Sequence, residues 1–140
     1  MTQTPERIEV AAAAIIRSGS VLLSLRKPDA HQGNKWEFPG GKLETGEAPE
    51  HGLIRELHEE LGITATQYQK LLTLSHDYPD KSVTLHVFLV EDFDGSPQGA
   101  EGQAIEWFNA ERMRELEFPD ANYPILEEVI HYLNHQQTRG

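Results

Sequence analysis

The sequence predicts an α/β fold in which a mixed sheet is covered on both faces, and three observations carry that prediction. Apolar runs of strand length recur between turn signals, helical patterns are few and well separated, and no repeat, linker or low-complexity block divides the 140 residues. A chain of this length is the size of one domain, and at 38% hydrophobic it should bury about 70% of its unfolded surface around one core. Residues 1–140 are therefore read as a single domain.

The elements follow in order. Ile8 to Ile16 is an apolar, alanine-rich run, and Ser18-Gly19-Ser20 separates it from a second run, Val21 to Leu25, which predicts strand, turn and strand. After a loop from Lys27 to Lys35, Trp36-Glu37-Phe38 leads into Pro39-Gly40-Gly41, read as a tight loop whose backbone can approach a ligand closely. A helix follows, with Pro49 suited to its first turn and Gly62 to its C-terminal cap. Gly52 inside that helix costs about 1 kcal/mol relative to Ala, which points to a close packing contact. Leu71 to Leu74 and Val83 to Val90 flank the turn signal Pro79-Asp80-Lys81 and read as an antiparallel pair. Ala104 to Phe108 is a further strand, Ala110 to Leu116 a helical pattern, and Ile125, Val129 and Leu133 give the last helix its spacing. His135 to Gly140 should fray.

Charge and composition exclude several function classes. A net charge of −11, from 12 basic against 23 acidic residues, argues against a protein that grips a nucleic acid polymer. A single nucleotide remains compatible, because metal ions can supply the positive charge its phosphates need. The absence of cysteine excludes disulfide and thiol chemistry and fits a reducing compartment. The start MTQTPERIEV lacks the features of a secretion signal, and no long apolar span occurs, so a cytoplasmic protein with no membrane partner is expected. A monomer is the expected state.

The chemistry is concentrated in residues 41–63. Gly41 is followed after five residues by Glu47, and after seven more by Arg55-Glu56-Leu57-His58-Glu59-Glu60-Leu61-Gly62-Ile63. At about 100° per residue, setting Glu56 at zero places Glu59 near 300°, Glu60 near 40° and Arg55 near 260°, so the four polar groups share one side. Leu53, Ile54, Leu57 and Leu61 fall on the other and give the helix a face to bury. Like charges at this spacing destabilise a helix by about 0.2–0.5 kcal/mol per pair. A divalent cation reverses that sign, and hard glutamate oxygens suit magnesium or manganese. For Glu59-Glu60 alone, a solvated acidic face is the default reading.

The whole run resembles the Nudix box, G-x5-E-x7-R-E-U-x-E-E-x-G-U with U a bulky aliphatic residue, at every fixed position from Gly41 to Ile63. The resemblance implies an α/β/α Nudix sandwich and a divalent-metal-dependent pyrophosphohydrolase acting on a nucleoside diphosphate linked to another moiety. Outside the box, Asp29-Ala30-His31, Asn34 to Gly41, Tyr78-Pro79-Asp80, Glu101-Gly102-Gln103 and Phe118 to Pro124 are similar to the MutT branch. That likeness implies hydrolysis of 8-oxo-dGTP to the monophosphate and pyrophosphate by in-line attack on the β-phosphorus. Another nucleoside triphosphate or a dinucleoside polyphosphate is the alternative, and a non-catalytic binding module a third. The intact Arg55-Glu56 and Glu59-Glu60 pairs argue against the third.

Carried over residue by residue, the resemblance implies metal positions at the Gly40 carbonyl, Glu56, Glu59, Glu60 and Glu101, for Mg²⁺ or Mn²⁺. Arg55 holds the neighbouring carboxylates, and Glu56 is favoured over Glu101 as the general base. Asn122 is the implied reader of the base. Oxidation at C8 turns guanine N7 from an acceptor into an N–H donor, so one amide can accept from N7 and donate to the C6 oxygen, whereas unoxidised guanine offers two acceptors there. The same amide, flipped, pairs with adenine. Judged without the resemblance, Asn122 reads first as an N-cap of the last helix. Arg26 and Phe38 match base-pocket positions, although they also read as surface and core residues. Asp80 and Lys81 fall beside the substrate, with Lys81 where relatives often carry arginine. Lys42, next to the glycine pair, is either a phosphate contact or a solvated cation. His58 reads as a bystander, and Trp36 and Trp107 as core.

Overall fold

A computed structural model of the chain describes residues 7–138, with side chains to residue 135. The first six residues of the N-terminal reading lie outside the described residues. Its centre is a strand pair distant in sequence: β1 (Arg7–Arg17) runs parallel to β6 (Lys81–Asp94), from Arg7 opposite Ser82 to Ile15 opposite Val90. β2 (Ser20–Leu25) and the short β4 (Gly40–Lys42) pair antiparallel with β1, while β3 (Trp36–Glu37) and β7 (Ile105–Phe108) pair antiparallel with β2. β5 (Thr64–Tyr78) closes the far edge against β6. The sheet is mixed, as the sequence predicts.

Helices cover it on both sides. Ala11, Ala13 and Ile15 of β1 join Leu22, Phe88 and Val90 in one core with Leu53, Leu57 and Leu61 of α1 (Pro49–Leu61). Ala12, Ala14 and Ile16 face the opposite core, with Val87, Leu89 and the residues Ile125, Leu126, Val129 and Leu133 of α3 (Tyr123–Thr138). Every residue from Ala11 to Ile16 is buried. A strand sandwiched between two helical layers reads as a continuous apolar run instead of an alternating one, and this is the physical basis of the alanine-rich β1.

α1 starts and stops where expected. Pro49 occupies its first turn after Ala48 in extended conformation, and Gly62 caps it in the left-handed region at φ 70° with its N–H on the His58 carbonyl. Gly52 is buried, and a Cβ there would meet Leu43 Cδ2, so the inferred packing contact is present. Of the predicted apolar face, Leu53, Leu57 and Leu61 are buried and Ile54 is half-buried.

Several boundaries need correction. Gly40-Gly41 is a strand, not a tight loop: these residues pair with Ala12 and Ala11, and a Cβ on Gly40 would collide with the Ala11 carbonyl. The glycines serve close strand approach. β5 extends well beyond Leu71–Leu74, because an edge strand bonded on one side tolerates the polar Thr64–Lys70 stretch, bulges included. α2 stops at Met113 instead of Leu116, although isolated turn bonds continue to Leu116, and Asn109 Oδ1 caps its start. A 3-10 turn, Asp120–Asn122, runs directly into α3. α3 continues to Thr138, past the expected fraying point, and residues 139–140 lie outside the described residues. Among the described residues, no helix is long and apolar enough to cross a membrane.

Candidate active site

The site grows from the register of β4. Ala13 N–H crosses to the Pro39 carbonyl and Leu43 N–H to the Glu9 carbonyl, so Gly40 faces Ala12 as a pair that shares no ladder bonds. The N–H and C=O of Gly40 therefore point away from β1. The N–H donates to Glu60 Oε2 at 3.2 Å, which fixes the end of α1 against the strand. A Cβ on Gly41 would strike the Glu56 carboxylate, so the glycine admits that side chain to the backbone.

On the outer side of α1, Arg55 uses all of its donors. Nε and Nη2 form a bidentate fork on Glu47, each bond 2.8 Å; Nη1 reaches Glu56 at 2.9 Å and Glu59 at 3.3 Å; Nη2 also reaches the Lys42 carbonyl at 3.0 Å. The expected planar clamp is thus present and wider than one partner. These bonds hold the Glu47 carboxyl down to about 2, and the same carboxylates hold the Arg55 guanidinium up.

On the inner side, Glu60 has the opposite surroundings. Burial is the largest cause, and Glu37, Glu56 and Glu101 add like charge, so its carboxyl is pushed up to about 8 with only the Gly40 N–H opposing. The Glu56 carboxyl is also raised, chiefly by burial, against the pull of Arg55. Among the described residues, no three acidic or histidine side chains converge closely enough to grip an ion as they stand. The donor set nevertheless fits a hard divalent cation: a half-buried carboxylate surrounded by other carboxylates and short of positive charge, beside a carbonyl that the sheet leaves unused.

Two cavities meet at Glu60. The first, of about 220 Å³, is lined by Phe38, Gly40, Lys42, Lys81 and Asn122 among others. The second, of about 400 Å³, holds Glu101, Lys27 and Gln103, and the two share Arg26, Glu37 and Glu60. Glu101 is exposed and sits in its loop through an N–H bond to Gln103 Oε1 at 2.9 Å, while Gln103 Nε2 donates to the Glu60 carbonyl at 3.0 Å. The Glu101 loop is thereby tied to the end of α1.

Asn122 is buried, and its Oδ1 accepts the Phe38 N–H at 3.3 Å. That bond turns Oδ1 to Phe38 instead of to the first amides of α3, which the capping reading would have it accept. Its Nδ2 has no protein acceptor among the described residues, on the wall of the first cavity. The turn is held by the Ala121 N–H on the Tyr78 hydroxyl at 2.9 Å. Phe38 lines the cavity and stacks on Phe118 at 5.8 Å, so it is core and wall together. Asp80 does not reach the cavity wall; it is exposed and lies 3.7 Å from His31 Nδ1. Arg26 is not a surface residue but is bonded to Glu37 and to the His31 carbonyl.

Sequence reasoning missed Glu37, His31 and Tyr78 as wall residues. A charged residue between Trp36 and Phe38 was the available signal for Glu37, because a carboxylate in an aromatic run needs a partner when buried. Its carboxyl is raised by burial, and the Arg26 guanidinium opposes the rise.

A sheet between helical layers, a glycine strand, an arginine-clamped acidic helix and a cavity at its end are the parts that the Nudix resemblance implies. The chain belongs to the NUDIX domain family, whose model matches residues 11–128. It is 42% identical over 120 residues to the 8-oxo-dGTP diphosphatase of Escherichia coli K12, covering 84% of this chain and 93% of that protein. It is also 39% identical over 120 residues to the CTP pyrophosphohydrolase of the same strain, covering 86% and 89%. A solved MutT structure, from work on Aliivibrio salmonicida and Vibrio cholerae, superposes with a TM-score of 0.80 at 36% identity over 91% of this chain and 99% of that one. The Nudix sandwich and the MutT likeness expected from the sequence are borne out.

Proposed function

We propose that this protein hydrolyses 8-oxo-dGTP to 8-oxo-dGMP and pyrophosphate with magnesium, manganese serving as a substitute, and so removes an oxidised base from the nucleotide pool. The observation that carries the choice of base is the Asn122 amide. Phe38 N–H needs an acceptor, which fixes Oδ1 on its side and leaves Nδ2 on the other. A pocket with its acceptor and donor so ordered suits a base edge carrying N7–H beside a C6 oxygen. Likeness to the E. coli diphosphatase over most of both chains supports the same reading.

The Gly40 carbonyl, Glu56, Glu59, Glu60 and Glu101 would hold the metal. Bound there, it supplies charge neutralisation, polarisation of the phosphate chain and an acidified water. Arg55 keeps Glu56 and Glu59 in place from behind. Glu56 takes the proton from the attacking water, with Glu101 second choice; burial raises the Glu56 carboxyl, which favours it as an acceptor. Lys42 and Lys81 line the first cavity and would meet phosphate there. Hydrolysis in oxygen-18 water should label pyrophosphate and leave the monophosphate unlabelled; label in the monophosphate would mean attack at the α-phosphorus instead.

The near-equal identity to a CTP pyrophosphohydrolase favours one second reading, a pyrimidine nucleoside triphosphatase. A magnesium-dependent panel of 8-oxo-dGTP, dGTP and CTP separates them. We expect kcat/KM for 8-oxo-dGTP to lead, and Asn122→Ala to erode its margin over dGTP by about 1–3 kcal/mol, the worth of a bidentate base contact. A CTP preference would transfer the assignment to the second reading, and an unchanged margin in the variant would remove Asn122 from base recognition.

A further inference from the structure

The wall shared by the two cavities contains an ion pair that the phosphate chemistry does not use. Arg26 Nη1 donates to Glu37 Oε1 and Arg26 Nε to the His31 carbonyl, both at 2.7 Å. His31 belongs to the loop between β2 and β3, and that loop closes on the same arginine: Arg26 N–H donates to the Lys35 carbonyl at 2.9 Å and Asn34 N–H to the Arg26 carbonyl at 3.1 Å. The loop has an unusual shape to hold, since Gln32 and Asn34 both lie in the left-handed region, at φ 56° and 63°. His31 and Gln32 form one side of the first cavity. Nε and Nη1 of this guanidinium are thus engaged by a carbonyl and a carboxylate of the wall itself.

We propose that Glu37 is a positioning residue for nucleotide binding: by holding Arg26 it keeps the 26–35 loop in its left-handed shape and thereby sets the width of the nucleoside cavity. The inference rests on the nucleotide reading of that cavity given above. It makes Arg26 a strut, in place of the base contact expected from sequence, and it gives Glu37 a role apart from the metal carboxylates.

Amide hydrogen exchange on the full-length protein with magnesium tests the strut without reference to any nucleotide. Glu37→Ala should speed exchange at the Ala30 and Asn34 amides about tenfold, with β1 and β6 unchanged, as a local opening does. It should raise KM for the triphosphate that the wild type hydrolyses about tenfold with kcat nearly unchanged, the signature of lost uniform binding. Glu37→Gln keeps a neutral acceptor for Nη1 and should fall between, because charge-assisted bonds are about twice as strong. Arg26→Gln should show the same loop-confined exchange, and adding Glu37→Ala to it should cost nothing more. Should Glu37→Ala fail to fold, the Arg26→Gln exchange pattern decides. Unchanged exchange at Ala30 and Asn34, additive effects on KM, or a tenfold loss of Mn²⁺ affinity in Glu37→Ala would each overturn the proposal, the last by making Glu37 a metal ligand. Failure of the 8-oxo-dGTP reading would show in the substrate panel and leave the exchange result standing.

Discussion

Glu47 and Glu60 belong to the same box and are held at opposite extremes. Glu47 meets a bidentate arginine and is pulled down to about 2; Glu60 meets burial and three carboxylates and is pushed up to about 8. The Arg55 half is electrically complete, with every donor engaged. The Glu60 half is short of positive charge. An acidic motif is therefore two devices: a finished scaffold, and an unfinished site that the scaffold keeps in shape for a cation.

The sharpest way to break this division is Glu60→Gln. Turnover with magnesium should fall by about 10³-fold or more, with the fold retained, since the change removes a carboxylate from the proposed metal site and also a repulsion. Near wild-type turnover of the purified variant would mean that the unfinished half lies elsewhere. Arg55→Gln attacks the other half and should cost on the order of 2 kcal/mol of stability, because it leaves half-buried carboxylates unpaired; a denaturant midpoint equal to wild type would deny the scaffold role. A smaller effect sharpens the comparison through pH. The folded Glu60 carboxyl is raised, so the stability its neutral form contributes is present below the ordinary 4.5 and drains away as pH rises through about 8. The melting temperature of metal-free protein should decline across that window more steeply in wild type than in Glu60→Gln, and magnesium should flatten the difference. The smallest effect belongs to Glu44, which is 70% exposed and 3.5 Å from Arg55. Glu44→Gln should change stability by less than about 0.5 kcal/mol, and a larger loss would enlarge the scaffold by one member.

The scaffold was the legible half. Gly41 and Glu47 precede, at fixed intervals, a single helix that carries Arg55, Glu56, Glu59 and Glu60, and Pro49 and Gly62 mark its ends by local conformational preference. The unfinished half was less so, because its character depends on residues remote in sequence. Glu37 acts on Glu60 by charge from another element, and Asn122 accepts the N–H of Phe38 from 84 residues away. Gly40-Gly41 was misread as a loop because a glycine pair signals close approach without saying to what. The length of β5 escaped for a different reason: Thr64–Lys70 is polar, and only its bonding to β6 makes it a strand.

The parallel join of β1 to β6 has a consequence for the making of the protein. Ile15 cannot find Val90 until both have left the ribosome, which adds about 5–20 residues per second. Through those seconds Ala11–Ile16, apolar on both sides, waits beside β2 and β4 without its central neighbour. Asn122 emerges later still, so the acidic helix is complete in the nascent chain before the pocket that would select its substrate. A chain cut before Val90 would leave the inner edge of β1 without the strand that covers it.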